Sequence, residues 1–140
     1  MKPNHLLIAV SCLFCLALPL LSGCGNKNEE GPPRMVEIPI GDSNTFVITN
    51  VRDDLNETFS LRMYVAVQQG ELRHFERRLA QCENEVIDRI TAVLYASSRA
   101  ERTEMGLTTI KEKVKWATNE VLGTPWVQQV FFTEITLVVE

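Results

Sequence analysis

Between Thr58 and Leu94 the spacing of apolar residues changes once, at Gly70, and that change limits the chain to a small set of folds. Before Gly70, Phe59, Leu61, Met63, Val65 and Val67 alternate with Ser60, Arg62 and Tyr64, the period of a strand with one wet face. After it, Leu72, Phe75, Leu79, Cys82, Val86, Ile90, Val93 and Leu94 recur at three and four, which predicts an amphipathic helix from about Glu71 to Ala96. A strand and a helix that each carry one apolar face bury those faces on one another, so layers of sheet and helix are expected.

The flanking segments extend this pattern. Phe46 to Val51 is rich in β-branched and aromatic residues, and the Asp and Asn residues between Arg52 and Asn56 supply turn chemistry, so a hairpin with the strand Thr58 to Val67 is the economical joining. Ser97 to Glu104 is polar and interrupts the helical period. Leu107, Ile110, Val114, Ala117, Val121 and Leu122 then resume it, with Thr103 or Thr109 as N-cap and Thr109 with Glu112 fitting a capping box. Gly123 with Pro125 stops this second helix. Trp126 to Val139 reads as a last strand that is apolar on both faces, a pattern expected where a strand is buried or covered by a partner. The fold expected is a single α+β domain: a small antiparallel sheet, hairpin plus C-terminal strand, packed on one face by two helices.

The N-terminal part is of another kind. Lys2 and His5 precede an apolar run from Leu6 to Leu21, the layout of a bacterial export signal. At about 1.5 Å per residue, that run falls short of a hydrocarbon core of about 30 Å. Leu21-Ser22-Gly23-Cys24 resembles the lipobox of bacterial lipoproteins, in which the cysteine is lipidated and becomes the new N-terminus. The expected organisation is a signal peptide over 1–23, a lipidated flexible tether over 24–44 and a domain over 45–140. Within the tether, Met35 to Ile40 has enough alternation to pair as an edge strand, with Pro39 confining it to an edge. About twenty residues of flexible tether would have a root-mean-square span of about 25 Å. Cys12 and Cys15 fall inside the discarded signal and form no redox motif. Cys82 is then the one remaining thiol, placed among Leu79, Val86 and Ile90 where it packs as a small hydrophobe.

Cleavage before Cys24 leaves 117 of the 140 residues, enough for one core, and removes only Lys2 among charged groups, so the formal charge moves from −4 to −5. An acidic exported chain is a poor match for nucleic acid, which needs a concentrated basic surface. Catalytic groups are equally scarce. His74 and Cys82 lie eight helical residues and about 12 Å apart, too far for a Cys-His pair, and too few His and Cys remain for a zinc site. No catalytic residue, metal site or cofactor is expected. The outer face of the long helix carries Arg73, Glu76, Arg77, Arg78, Glu83, Glu85, Asp88 and Arg89, which reads as a solvated face. Arg73, Arg77 and Arg78, clustered within two turns, are the alternative: a docking patch for a partner.

Several segments together resemble the periplasmic domain of the FliL family, the flagellar basal-body-associated proteins. They run in order as Phe46-Val47-Ile48-Thr49-Asn50-Val51, Ser60-Leu61-Arg62-Met63-Tyr64-Val65-Ala66-Val67, Glu85-Val86-Ile87-Asp88-Arg89-Ile90, and Asn119-Glu120-Val121-Leu122-Gly123. The last and most specific is Val127-Gln128-Gln129-Val130-Phe131-Phe132-Thr133-Glu134-Ile135. The resemblance implies a stomatin-like α+β fold and a non-enzymatic role in motility, with the flagellar motor stator proteins as partners and self-association around them. It implies a periplasm-facing domain at the inner membrane, with the outer membrane as the alternative. The chain departs from the family in carrying a lipobox where its members carry an uncleaved transmembrane helix. A lipid-anchored envelope module unrelated to flagella is the competing expectation.

Overall fold

The computed structural model describes residues 31–52 and 55–140. The elements follow in the order β1 (Met35–Pro39), β2 (Thr45–Arg52), β3 (Leu55–Gln68), α1 (Leu72–Ala96), the single turn α2 (Arg99–Arg102), α3 (Thr108–Leu122) and β4 (Val127–Val139). The α+β class, the small antiparallel sheet and the two long helices are those that the change of period predicts.

The sheet is built around β3. β2 pairs antiparallel with the first part of β3, from Thr45 opposite Arg62 to Arg52 opposite Leu55. β1 pairs with its last part, from Met35 opposite Gln68 to Pro39 opposite Tyr64, so β1 and β2 lie end to end along one edge. β4 runs antiparallel along the other edge, from Val127 opposite Val67 to Val139 opposite Glu57. The turn of the β2–β3 hairpin falls on residues outside the described ones, as do the proposed signal, Cys24 and the first part of the tether.

Alternation on β3 puts Phe59, Leu61, Met63, Val65 and Val67 in the core while Arg62 stays exposed on the opposite face. Phe75, Leu79, Cys82, Val86, Ile90 and Leu94 of α1 are buried in the same core, as their spacing predicts. Ile110, Val114 and Leu122 of α3 and Val127, Val130 and Phe132 of β4 complete it. At Cys82 the backbone leaves the helical region (φ −133°, ψ 23°), and its thiol donates to the Arg78 carbonyl at 3.2 Å. The helical period carries no sign of this kink.

Three expectations are corrected. Residues 24–44 are not tether throughout: β1 pairs at an edge of the sheet, as its alternation allows, and Ile40 is fully buried beyond it. Ile40 reaches the core because the chain turns sharply at Gly41, whose φ of +80° suits glycine and where a Cβ would lie 3.4 Å from Ile87 Cδ1. β3 begins at Leu55 rather than Thr58, since pairing with both neighbours extends it. α3 has no side-chain N-cap and no Thr109–Glu112 box; Leu107 precedes it in the left-handed region, and the Thr109 amide donates to the Glu104 carboxylate at 3.0 Å. The capping box sits earlier, in the polar interruption, where Ser98 and Glu101 satisfy each other's backbone at the start of α2. Of the two expectations for the last strand, buried or covered by a partner, the first holds only in part: β4 pairs with β3 alone among the described residues. Its first half is buried in part, but Ile135, Val138 and Val139 face solvent.

Candidate interaction surface

The three arginines of the proposed patch do not act alike. Arg73 and Arg77 project into solvent from the first two turns of α1. Arg78 is half-buried, and its guanidinium donates to the carbonyls of Leu122 at 3.3 Å and Val121 at 3.4 Å. Those are last-turn carbonyls of α3, which have no partner within the helix and sit at the negative end of its dipole. Arg78 is therefore a cross-helix cap, and the surface patch reduces to Arg73 and Arg77. His74, on the same turns, is exposed, and Cys82 is a buried free thiol. Among the described residues no group of three or more His, Cys, Asp and Glu is placed to hold a metal ion. None of their helices is long and apolar enough to cross a membrane.

A second surface was not foreseen. On the outer side of the helical layer, Ala92, Val93 and Ala96 of α1 face Trp116 and Ala117 of α3 across an open apolar groove of about 520 Å³. The small residues leave the space, and Trp116 remains 65% exposed beside it. Arg89 stands at one end, paired with Glu120 at 2.7 Å. The signal was present in the sequence as Ala92 and Ala96 one turn apart beside the apolar stripe, but small residues on a helix say nothing of depth until the second helix is placed.

The third surface is the far half of β4. Opposite Leu61 two residues of β4 occupy the space of one, so Glu134 adopts a positive φ of 49° and forms a β-bulge. Its carboxylate turns to Arg62 at 2.8 Å. Beyond the bulge, Ile135 to Val139 re-enters the ladder, and Glu140 and Asn56 exchange backbone hydrogen bonds at 2.9 and 3.0 Å.

Beneath this end of the sheet lies the most buried charge of the described residues. Arg102, with 4% of its side chain exposed, pairs with Glu57 of β3, donates from Nε to Ser97 Oγ at 2.9 Å and from Nη2 to the Ser97 carbonyl at 2.7 Å, and lies 6.0 Å from the centre of the Phe59 ring. The polar run Ser97 to Glu104 exists to place this cation: its capping box fixes α2, and α2 aims Arg102 inward. Glu101 itself is held below the usual carboxylate range by the Lys113 ammonium and then by the Ser98 amide.

At the opposite end, Asn119 of α3 takes the place of a strand partner. Its Nδ2 donates to the Val127 carbonyl at 3.0 Å and its Oδ1 accepts from the Val127 amide at 2.9 Å, which fixes where β4 begins. No protein-family model matches the chain, and no curated protein does.

Proposed function

We propose that this chain is a non-enzymatic, lipid-anchored interaction domain of the bacterial envelope that self-associates and supports the flagellar motor by bracing its stator units. The observation that carries the reading is the ordered resemblance to the FliL family, together with where its segments meet. Arg62, in one of those segments, pairs with Glu134 in another. Asn119, in a third, bonds both backbone groups of Val127, at the start of the most specific one. Gly123, which ends the third, is the left-handed cap of α3 at φ 74°. The resembling residues are thus ones that hold the scaffold together, and the motor assignment is inferred through that scaffold.

Anchorage at Cys24 sets the geometry. With β1 in the sheet, ten residues separate Cys24 from Met35, a reach of at most about 40 Å. On this reading the tether joins the domain at the β1 end of the sheet, the end at which Arg73 and Arg77 also lie, because the Gln69 amide bonds the Arg34 carbonyl beside the start of α1.

The test has two arms. Deleting the gene reduces swimming speed under high load while filaments still assemble, and reversing Arg73 and Arg77 to Glu does the same without unfolding the domain. Cys24→Ala abolishes fatty-acid labelling. Normal motility under load in the deletion strain, or a host without flagella, defeats the motor reading; labelling that survives in Cys24→Ala defeats the anchor.

A further inference from the structure

From the far half of β4 we infer that this strand is the self-association edge of the domain: two copies pair Ile135–Val139 antiparallel across a two-fold axis at Leu137, joining their sheets into one. The inference rests on the self-association in the reading above and is independent of the motor.

Backbone geometry supplies the first argument. Because Glu140 and Asn56 exchange both of their hydrogen bonds, the alternation of an antiparallel ladder directs the N–H and C=O groups of Val139 and Leu137 away from β3. Those groups stand in register along an edge that no other strand covers among the described residues.

The side chains supply the second argument. Ile135, Val138 and Val139 are 47%, 41% and 40% exposed, and from Ile135 to Val139 there is no charge, proline or glycine. Soluble proteins blunt free edges with such residues, and an apolar edge without them is a template for another strand. Around Leu137 the segment is symmetric in character. A two-fold there sets Ile135 opposite Val139 and Thr136 opposite Val138, β-branched pairs that pack well across strands.

That self-complementarity about Leu137 selects a second copy as the occupant, and the charges at its ends limit the pairing. On the open face the same axis brings Glu140 of one copy toward Glu134 of the other, and Glu134 carries Arg62 at 2.8 Å. The Arg62 guanidinium, exposed beside the edge and paired with Glu134, offsets part of the repulsion between these two carboxylates, which stay in solvent. The bulge at Glu134 ends the pairing there and keeps it from running on into the first half of β4. Five paired residues make an interface below the standard size, so the dimer belongs to the weak, transient class, and confinement to a membrane raises its occupancy.

Sedimentation of the full chain, purified from membranes in detergent, tests this. A reversible monomer–dimer equilibrium is expected. Val139→Pro, which removes only an outward-facing N–H, and Ile135→Lys each raise the dissociation constant at least about tenfold with unchanged thermal midpoints. Val47→Lys, on the equally exposed face of β2, leaves it unchanged. A chain that stays monomeric, or association that survives both β4 variants, overturns the proposal, as does a dimer lost in Val47→Lys. Association that survives both β4 variants retains the self-association and rejects this edge, whereas a dimer lost in them stands even where the deletion strain swims normally.

Discussion

Along one edge of β3 run β1 and β2; along the other runs β4. The first edge is short pieces: β1 contains Pro39, the chain then breaks at Gly41, and Ile40 is drawn fully into the core. Where β2 follows, α1 lies against it and Phe46 and Ile48 are buried. On the second edge, α3 packs on β4, and the core holds Val127, Val130 and Phe132 from its first half, but beyond the bulge Ile135 and Val139 are left to solvent. The core-facing residues of β2 are thus buried, whereas β4 is buried only in its first half and leaves apolar residues in solvent beyond the bulge. A strand's apolar pattern states that it needs a cover, and only the placement of the helices decides whether its own chain provides it.

The difference can be broken most severely from below the open edge. Glu57→Ala leaves Arg102 charged and buried, so a loss of about 3–5 kcal/mol is expected in denaturant unfolding. A loss under about 1 kcal/mol would mean that water reaches Arg102 freely. Next comes a matched pair of truncations, one on each edge. Ile40→Ala opens a cavity at a fully buried site and should lower stability by about 2–5 kcal/mol, whereas Ile135→Ala, half exposed, should change it by less than about 1 kcal/mol. Equal losses would erase the contrast between the edges.

Much of the fold was legible before any coordinates. The five alternating residues of β3 and the stripe from Phe75 to Leu94 report burial directly, because each period has one structural cause. The depth of Ile40 and the burial of Arg102 are not legible in the sequence, for different reasons. Arg102 sits in a segment without periodicity and is buried by Glu57, far along the chain, while Ile40 only ends the short alternation of β1, which marks an edge strand but not full burial. Arg78 stands with Arg73 and Arg77 as a possible docking patch in the sequence because three arginines within two turns look alike until the end of α3 is placed beside one of them. The candidate surface at β4 was half legible: its two-faced apolar pattern announced a need for cover, and the bulge that limits it came only with the register.

Smaller effects sharpen the picture at each end of β4. Asn119→Ala unpairs two backbone groups of Val127 and should lower stability by about 1–3 kcal/mol, with the change seen first in the amide exchange of Val127. Smallest is the pH response of Glu101. Its carboxyl is held low in the folded state by Lys113, so its stabilisation is present above the unfolded carboxylate range and is lost as pH falls through the folded value. Lys113→Met should flatten that part of the profile of thermal midpoint against pH; an unchanged profile would show that the pair does not support α2.

The central claim, that β4 beyond Glu134 is an open edge used for pairing, is met most directly by amide hydrogen exchange measured residue by residue as protein concentration is raised. Leu137 and Val139 should exchange fast in dilute protein and gain protection with concentration, while Val138 and Glu140, bonded within the sheet, stay protected throughout. Leu137 and Val139 amides whose exchange is the same at every concentration would contradict it.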